Sequence, residues 1–331
     1  MLQVNTAPLV FVKRHGRLAF LKEGYSWLII QLLRRRSNKH IAEQRKQPVV
    51  FSFDFIAHNI NLNGVYEKDD LDTFFEWINA VGVDFKEATA LDIGANIGNH
   101  SLYFSDHFKR VVSFEPHPRI FKVLSLNAEL ASNIRVYNVG LSDQEGSAVL
   151  SGPAVNFGRS TICETRDANA VDIRLVKLDT FSEFENVKLL KIDVEGHEYR
   201  ALSGARKIIQ EHQPIILFEQ HADDFINGES HVLALLRELG YKDFAIIRRY
   251  PLPLPSFLKF VLTPMLRVLL GEQTRIVLTN VVKPDFYSFI IALPDWVQRK
   301  PDSGVWADDE EKAVVTPLSV TSPVATTNSV V

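Results

Sequence analysis

A single cysteine, Cys163, stands in the 331 residues, so the chain can form neither an intrachain disulfide nor a cysteine zinc cluster. This leaves the redox compartment open, with a slight lean toward a reducing one. Net charge is only −3, and the calculated isoelectric point is about 6.4. That balance points away from nucleic acid as a partner. No apolar run reaches the roughly eighteen residues of a membrane-spanning helix. Lys13 and Arg14 follow the apolar N-terminal stretch instead of preceding it, which is not the order of a signal peptide. No internal repeat is evident. These absences lead to a cytoplasmic expectation, with two regions that could touch a membrane surface: the helix from Tyr25 to Leu33 with the basic residues Arg34 to Lys46 after it, otherwise a solvated lead-in, and the apolar segment described below.

What the chain does have is 46% hydrophobic residues and a regular alternation of apolar strands and amphipathic helices. Strands are expected near 88–93, 111–115, 134–139, 187–193, 214–219, 243–249 and 286–292. Helices are expected near 69–79, 98–108, 118–130, 199–211 and 229–239, and FSFDFIAHNIN at 51–61 reads as short strands with a turn. Such alternation implies an α/β domain with parallel pairing and crossover helices. Residues 1–50 read as a helical, basic appendage, residues 51–300 as the main domain and residues 301–331 as a flexible tail. An insertion at 251–284 interrupts the domain. Its apolar part, 257–270, could contact membrane, substrate or a second copy in a homo-oligomer.

The densest signal is ALDIGANIGNHSLYF at 90–104, a strand, a glycine turn and a helix. Such a turn leaves backbone N–H groups free at the carboxyl end of a parallel strand, where open α/β sheets bind ligands. Gly94 allows the tight turn and Gly98 allows close helix packing. Asn96 could cap the following helix. The spacing D-x-G-x-N-x-G is not the dinucleotide fingerprint G-x-G-x-x-G. Asp92 would repel a pyrophosphate, but it suits a ligand carrying an ammonium and a sulfonium. This favours S-adenosyl-L-methionine over NAD. Glu115, in RVVSFEPHP, ends the next strand and can accept two ribose hydroxyls. Asp143, in NVGLSD, either accepts from the adenine amine or caps a turn.

A second polar cluster, KIDVEGHE at 191–198, closes a buried strand, and FEQH at 218–221 closes the next. Neighbouring parallel strands would bring Asp193, Glu195, Glu219 and His221 around one cleft. Methyl transfer needs an aligned acceptor oxygen and a group to take its proton. The ranking for that base is His221, then Asp193, then His197. Glu195 and Glu219 are assigned to substrate hydroxyls or loop orientation. Lys191 could partner Asp193, and Tyr66 with Glu67 could close over the cofactor. No metal is expected, because the spacing is not a recognised ligand motif.

These motifs together resemble the FkbM family of S-adenosylmethionine-dependent methyltransferases. The matching pieces are LDIGANIGNHSLYF, VVSFEPHP, NVGLSDQEG, VKLDTF, LLKIDVEGHEYRALSGA and IILFEQ, in that order, across roughly residues 60–250. The resemblance implies a Rossmann-like, seven-stranded methyltransferase sheet in the order 3-2-1-4-5-7-6. That sheet would be mostly parallel, with an antiparallel last strand. It also implies that Asp92, Gly94, Asn96 and Gly98 line the methionine part of the cofactor, with Glu115 at ribose and the Asp143 region facing adenine. The implied reaction is O-methylation of a hydroxyl on a sugar, glycan, lipid or small natural product. A nucleotide-linked oxidoreductase and a noncatalytic ligand-binding protein of the same fold are the competing readings.

Overall fold

The computed structural model describes residues 19–152, 161–163, 166, 170–226, 229–250 and 273–297. The apolar 257–270 segment and the 301–331 tail lie outside them.

Eight strands form the central sheet: β1 (Thr89–Ile93), β2 (Arg110–Phe114), β3 (Ile134–Tyr137), β4 (Val187–Ile192), β5 (Ile215–Gln220), β6 (Asp243–Tyr250), β7 (Gln273–Thr279) and β8 (Tyr287–Leu293). From one edge they run β3-β2-β1-β4-β5-β8-β6-β7. The first five positions pair in parallel. β8 is antiparallel to β5 and to β6, and β7 is antiparallel to β6. The α/β, Rossmann-like character is as expected, but the seven-stranded order is not. β7 is the reason. It comes from the second half of the 251–284 insertion, and all seven of its residues pair with β6. Its sequence, QTRIVLT, carries β-branched residues that suit a pleated edge.

Both faces of the sheet are covered, as parallel strands require. Ala90, Val111, Leu189 and Leu217 pack with Leu71, Phe74, Phe75 and Ile78 of α3 (Lys68–Ala80). The alternate residues, Leu91, Val112, Leu190 and Ile216, belong to a second apolar layer. That layer includes Ala201 of α6 (Glu198–Ser203), Ile208 of α7 (Arg206–His212) and Leu235 of α8 (His231–Glu238). Each such buried Leu, Ile or Phe contributes roughly 1.5–3 kcal/mol relative to exposure.

Two local expectations need correction, and one element was not foreseen. The 51–61 segment holds a helix, α2 (Phe55–Asn63), where strands were expected. Asp54 caps it by accepting the Ala57 N–H, and Gly64 ends it at φ 82°. The FSFDF alternation looks like a strand, but the cap and the i, i+3 burial of Ala57 and Ile60 decide for a helix. The 199–211 helix divides into α6 and α7 at Gly204, where a Cβ would lie 1.9 Å from the Ser142 carbonyl oxygen. Finally, residues 140–176 contain a separate four-stranded sheet, in the order 140–141, 171–176, 146–151, 161–163.

The N-terminal appendage is a helix, α1 (Ala19–Ala42), whose following segment is tied to the domain. Lys46 donates to the Leu102 carbonyl and to Ser105, and Val49 exchanges hydrogen bonds with Asn127. Among the described residues, no helix is long and apolar enough to cross a membrane.

Candidate functional site

The glycine turn joins β1 to α4 (Asn99–Phe104). Gly94 (φ 76°) and Ala95 both donate to the Phe114 carbonyl, which locks the turn against β2. A Cβ on Gly94 would sit 1.8 Å from the Asp193 carbonyl oxygen, so only glycine fits between the ends of β1 and β4. Asn96 does not cap the helix. The residue at the cap is Gly98 (φ 90°), with no side-chain hydrogen bond. Asn96 instead takes φ 50° and turns its backbone N–H onto Glu115 Oε2 at 3.0 Å.

Glu115 accepts a second backbone N–H, from His117, at 2.8 Å. Burial pushes its carboxyl up to about 7 despite those two donors. It lines a cleft together with Gly94, Asn96, Tyr66, Asp193 and Glu195. Leu150, Ile162 and Ile173 of the smaller sheet add an apolar wall. Sequence reasoning missed that wall, because its strands are short and separated by polar stretches.

Asp92 is placed differently from expectation. It is fully buried, outside the cleft lining. Ser101 donates to it at 2.6 Å, Ser113 donates to Ser101 at 2.8 Å, and Lys191 Nζ approaches it at 3.4 Å. It thus holds Lys191 from behind. The same ammonium meets Asp193 Oδ2 at 3.2 Å, as the alternation along β4 suggested. Burial works against the Lys191 charge, but Asp193 and Asp92 outweigh it and hold its pKa above the usual lysine range.

Asp193 follows β4 directly and lines the cleft. Burial disfavours its charge, but the Lys191 ammonium wins and holds its carboxyl below the ordinary value. Glu219 of β5 shares a hydrogen bond with it. Burial, then the charges of Asp193, Glu195 and Glu198, push Glu219 up to about 9. At neutral pH, therefore, a protonated Glu219 donates to an ionised Asp193. His221 lies beyond, 44% exposed, with Nε2 3.5 Å from Glu219 Oε2. Glu195, Glu219 and His221 each offer a ligand atom within 4.8 Å of the others, a donor set that could hold a metal ion.

His197 and Asp143 gather elsewhere. His197 Nε2 lies 3.0 Å from Ser142 Oγ, and burial lowers its pKa. Asp143 accepts from Ser142 and pairs with Arg200 at 3.4 Å, outside the cleft lining. His197 lines the cleft, as do Gly140 and Leu141 next to its partner Ser142. Tyr66 does line the cleft, and its backbone exchanges two hydrogen bonds with Asn99. Next to it, Glu67 Oε2 stands 3.1 Å from His100 Nε2. His100 is buried and also lines the cleft. It was hidden in the sequence within the apolar pattern of NHSLYF.

Among the described residues, the charged ones on the cleft wall are Glu115, Asp193, Glu195 and Lys191, and two carboxylates already engage the lysine. Among those residues a pyrophosphate would find no unengaged cation. A ribose bearing a sulfonium finds a carboxylate for its hydroxyls, an apolar wall for its base and acids for its positive end. The donor set fits S-adenosyl-L-methionine.

Comparison with known proteins agrees. Residues 92–242 match the model of the methyltransferase FkbM domain. The chain is similar to methyltransferase sdnD of Sordaria araneosa, at 30% identity over 164 residues, 38% of this chain and 62% of that protein. It is also similar to the hexuronic acid methyltransferase AglP of Haloferax volcanii, at 29% identity over 133 residues, 40% of this chain and 55% of that protein. The chain thus spans little more than half the length of these relatives. A methyltransferase FkbM structure from Methylobacillus flagellatus KT aligns at 24% identity over 40% of this chain and 32% of that one, with a TM-score of 0.30. The assignment rests on the domain match and on the site. S-adenosyl-L-methionine is the cofactor of this domain, and residues 92–242 of the chain are those of a methyltransferase FkbM domain.

Proposed function

We propose that the protein transfers a methyl group from S-adenosyl-L-methionine to a hydroxyl of a sugar, glycan, lipid or small natural product. The observation that carries this reading is the carboxylate end of β4 and β5 beside the glycine turn. Asp193, backed by Lys191, lines the cofactor cleft and simultaneously touches Glu219. The bound cofactor would supply an electrophilic sulfonium methyl.

Within this reading, the chain's own groups do the following. Glu115 and the Asn96 turn hold the ribose end. Lys191 fixes Asp193 in place. Asp193 would accept the proton that the acceptor hydroxyl gives up. Glu219 holds the second oxygen of the pair, and Glu195 faces the acceptor's other hydroxyls. Asp193 is preferred to His221 as the base because it lines the cleft, whereas His221 stands outside that lining. His197 is assigned to the adenine end with the Asp143 segment.

A second cleft of about 590 Å³ shares Tyr66 with the first. Arg36, Lys39 and His40 of α1 line it, with Phe286 and Ser288 opposite. This is our candidate for the acceptor's entry. Arg36, Lys39, Arg45 and Lys68 share its lining with Glu43, Glu67, Asp69 and Asp70, a mixed polar surface suited to a hydroxyl-rich acceptor, and the likeness to a hexuronic acid methyltransferase supports a sugar.

The test uses labelled methyl donor with an extract of cells, followed by identification of the labelled product. Label in an O-methylated sugar or lipid-linked sugar is the expected result. Calorimetric binding of NAD, without binding of S-adenosyl-L-methionine or its demethylated product, would reject the reading in favour of an oxidoreductase. Cofactor binding with no transfer to any hydroxylated acceptor would leave a ligand-binding protein.

A further inference from the structure

From Gly24 to Leu33, α1 reads GYSWLIIQLL, without one charged residue. On a helix that packs against a domain, apolar residues form one stripe. Here they go all the way round. Tyr25 is 67% exposed, Trp27 63%, Leu28 51%, Ile30 52% and Leu32 56%. Nothing lies within 4 Å of where a Cβ on Gly24 would be. Single exposed apolar residues are ordinary on a protein surface, but a continuous exposed run marks a contact site.

We infer that this half of α1 inserts into the surface of a membrane containing anionic lipid. A second copy of the helix would cover one face and leave the others in water, whereas acyl chains surround a helix. The run is ten residues long. At about 1.5 Å per residue it spans roughly 15 Å, about half the hydrocarbon core of a bilayer. It can enter the interface and cannot cross it. Trp27 and Tyr25 are residue types that settle at the headgroup boundary. Arg34, Arg35 and Arg36 follow directly, and all three are exposed. Their charge complements anionic headgroups at the depth where the apolar run ends.

The geometry joins this surface to the second cleft. Arg36, Lys39 and His40, on the next turns of the same helix, line it. A helix seated in the membrane surface would hold that cleft next to the headgroups. The inference does not depend on methyl transfer, because vesicle binding is read without turnover.

The experiment is co-sedimentation of the full chain with vesicles of phosphatidylcholine, alone or mixed with phosphatidylserine. The wild-type chain should sediment with the mixed vesicles, and added salt should weaken that binding. The pair Trp27→Glu and Ile30→Glu should lower it about tenfold or more. Leu28→Ser alone should lower it less, in the same direction. The pair Arg34→Ser and Arg35→Ser should lower binding to mixed vesicles and leave that to neutral ones unchanged. S-adenosyl-L-methionine binding, measured in parallel, should be equal in all variants, which shows that the fold is intact. The proposal falls if the wild-type chain stays in solution with mixed vesicles at low salt. It also falls if Leu28→Ser and the Trp27/Ile30 pair both sediment as the wild type does. Concentration-dependent self-association, lost in the same variants and without vesicle binding, would assign the helix to a second copy and overturn the membrane reading.

Discussion

Glu115 and Glu219 stand at the carboxyl ends of two strands of one sheet, and both are pushed toward the neutral acid. Their surroundings differ. Around Glu115, burial raises the carboxyl to about 7, and two backbone N–H groups, from His117 and Asn96, restrain it. Around Glu219, burial is reinforced by the charges of Asp193, Glu195 and Glu198, and the value reaches about 9. The cofactor end is therefore fixed by main chain, with one donor, Asn96, from the glycine turn and the other, His117, from the loop after β2. The acceptor end is set by side-chain charges that can gain or lose protons. A shared cofactor asks for a rigid cradle, while proton removal asks for groups that respond to one another.

If main chain governs the cofactor end, the largest effect should come from the turn itself. Gly94→Ala would force a Cβ to within 1.8 Å of the Asp193 carbonyl oxygen at a φ of 76°. The expected cost is at least about 3 kcal/mol of folding stability, read by urea unfolding, with cofactor binding lost in calorimetry. A variant that keeps both would show that the β1 and β4 ends can move apart.

The acceptor end should break differently. Asp193→Asn keeps the shape and removes the charge, so kcat and kcat/KM should fall together, roughly a hundredfold or more. Cofactor affinity should change much less. His221→Ala should cost about tenfold or less. The reverse order of these two effects would move the base to His221.

How far these two ends could be read in the sequence follows the same division. Local main-chain chemistry was legible. Gly94, Gly98 and the strand before them announced the turn, and Lys191 with Asp193 followed from simple alternation along β4. Roles set by long-range packing were not. Asp92 looked like a ligand contact until the fold placed Ser101 and Lys191 around it. Asn96 looked like a cap, but its φ of 50° instead aims a backbone N–H at Glu115, nineteen residues on. β7 escaped notice because its seven residues follow an apolar, proline-broken stretch, and only pairing with β6 identifies it as a strand. The smaller sheet, which walls the cleft, rests on pairings such as Leu150 with Val171 that no short window contains.

A change at Glu115 should be felt in binding alone. Glu115→Gln keeps one carbonyl acceptor for the two N–H donors and weakens the ribose contact. Cofactor affinity should fall roughly tenfold to a hundredfold, equivalent to about 1–3 kcal/mol, with kcat nearly unchanged. An equal fall in kcat would mean that the cradle also aligns the methyl group, and the contrast between the two ends would weaken.

A separate effect should be the pH signature of Glu219. Its folded value, about 9, lies above the ordinary 4.5, so the folded protein favours the protonated acid. That preference contributes stability in full below about 4.5, and the contribution is lost as pH rises toward and through about 9. Glu219→Gln carries a permanent amide and cannot ionise. Its unfolding free energy should therefore decline less than that of the wild type between those two values, leaving the variant relatively more stable at the alkaline end. Urea titrations at a series of pH values would measure the difference in slope. Parallel curves would mean that Glu219 ionises normally in the folded protein. The crowding of acids at β4 and β5 would then be relieved by another group, and the contrast with Glu115 would disappear.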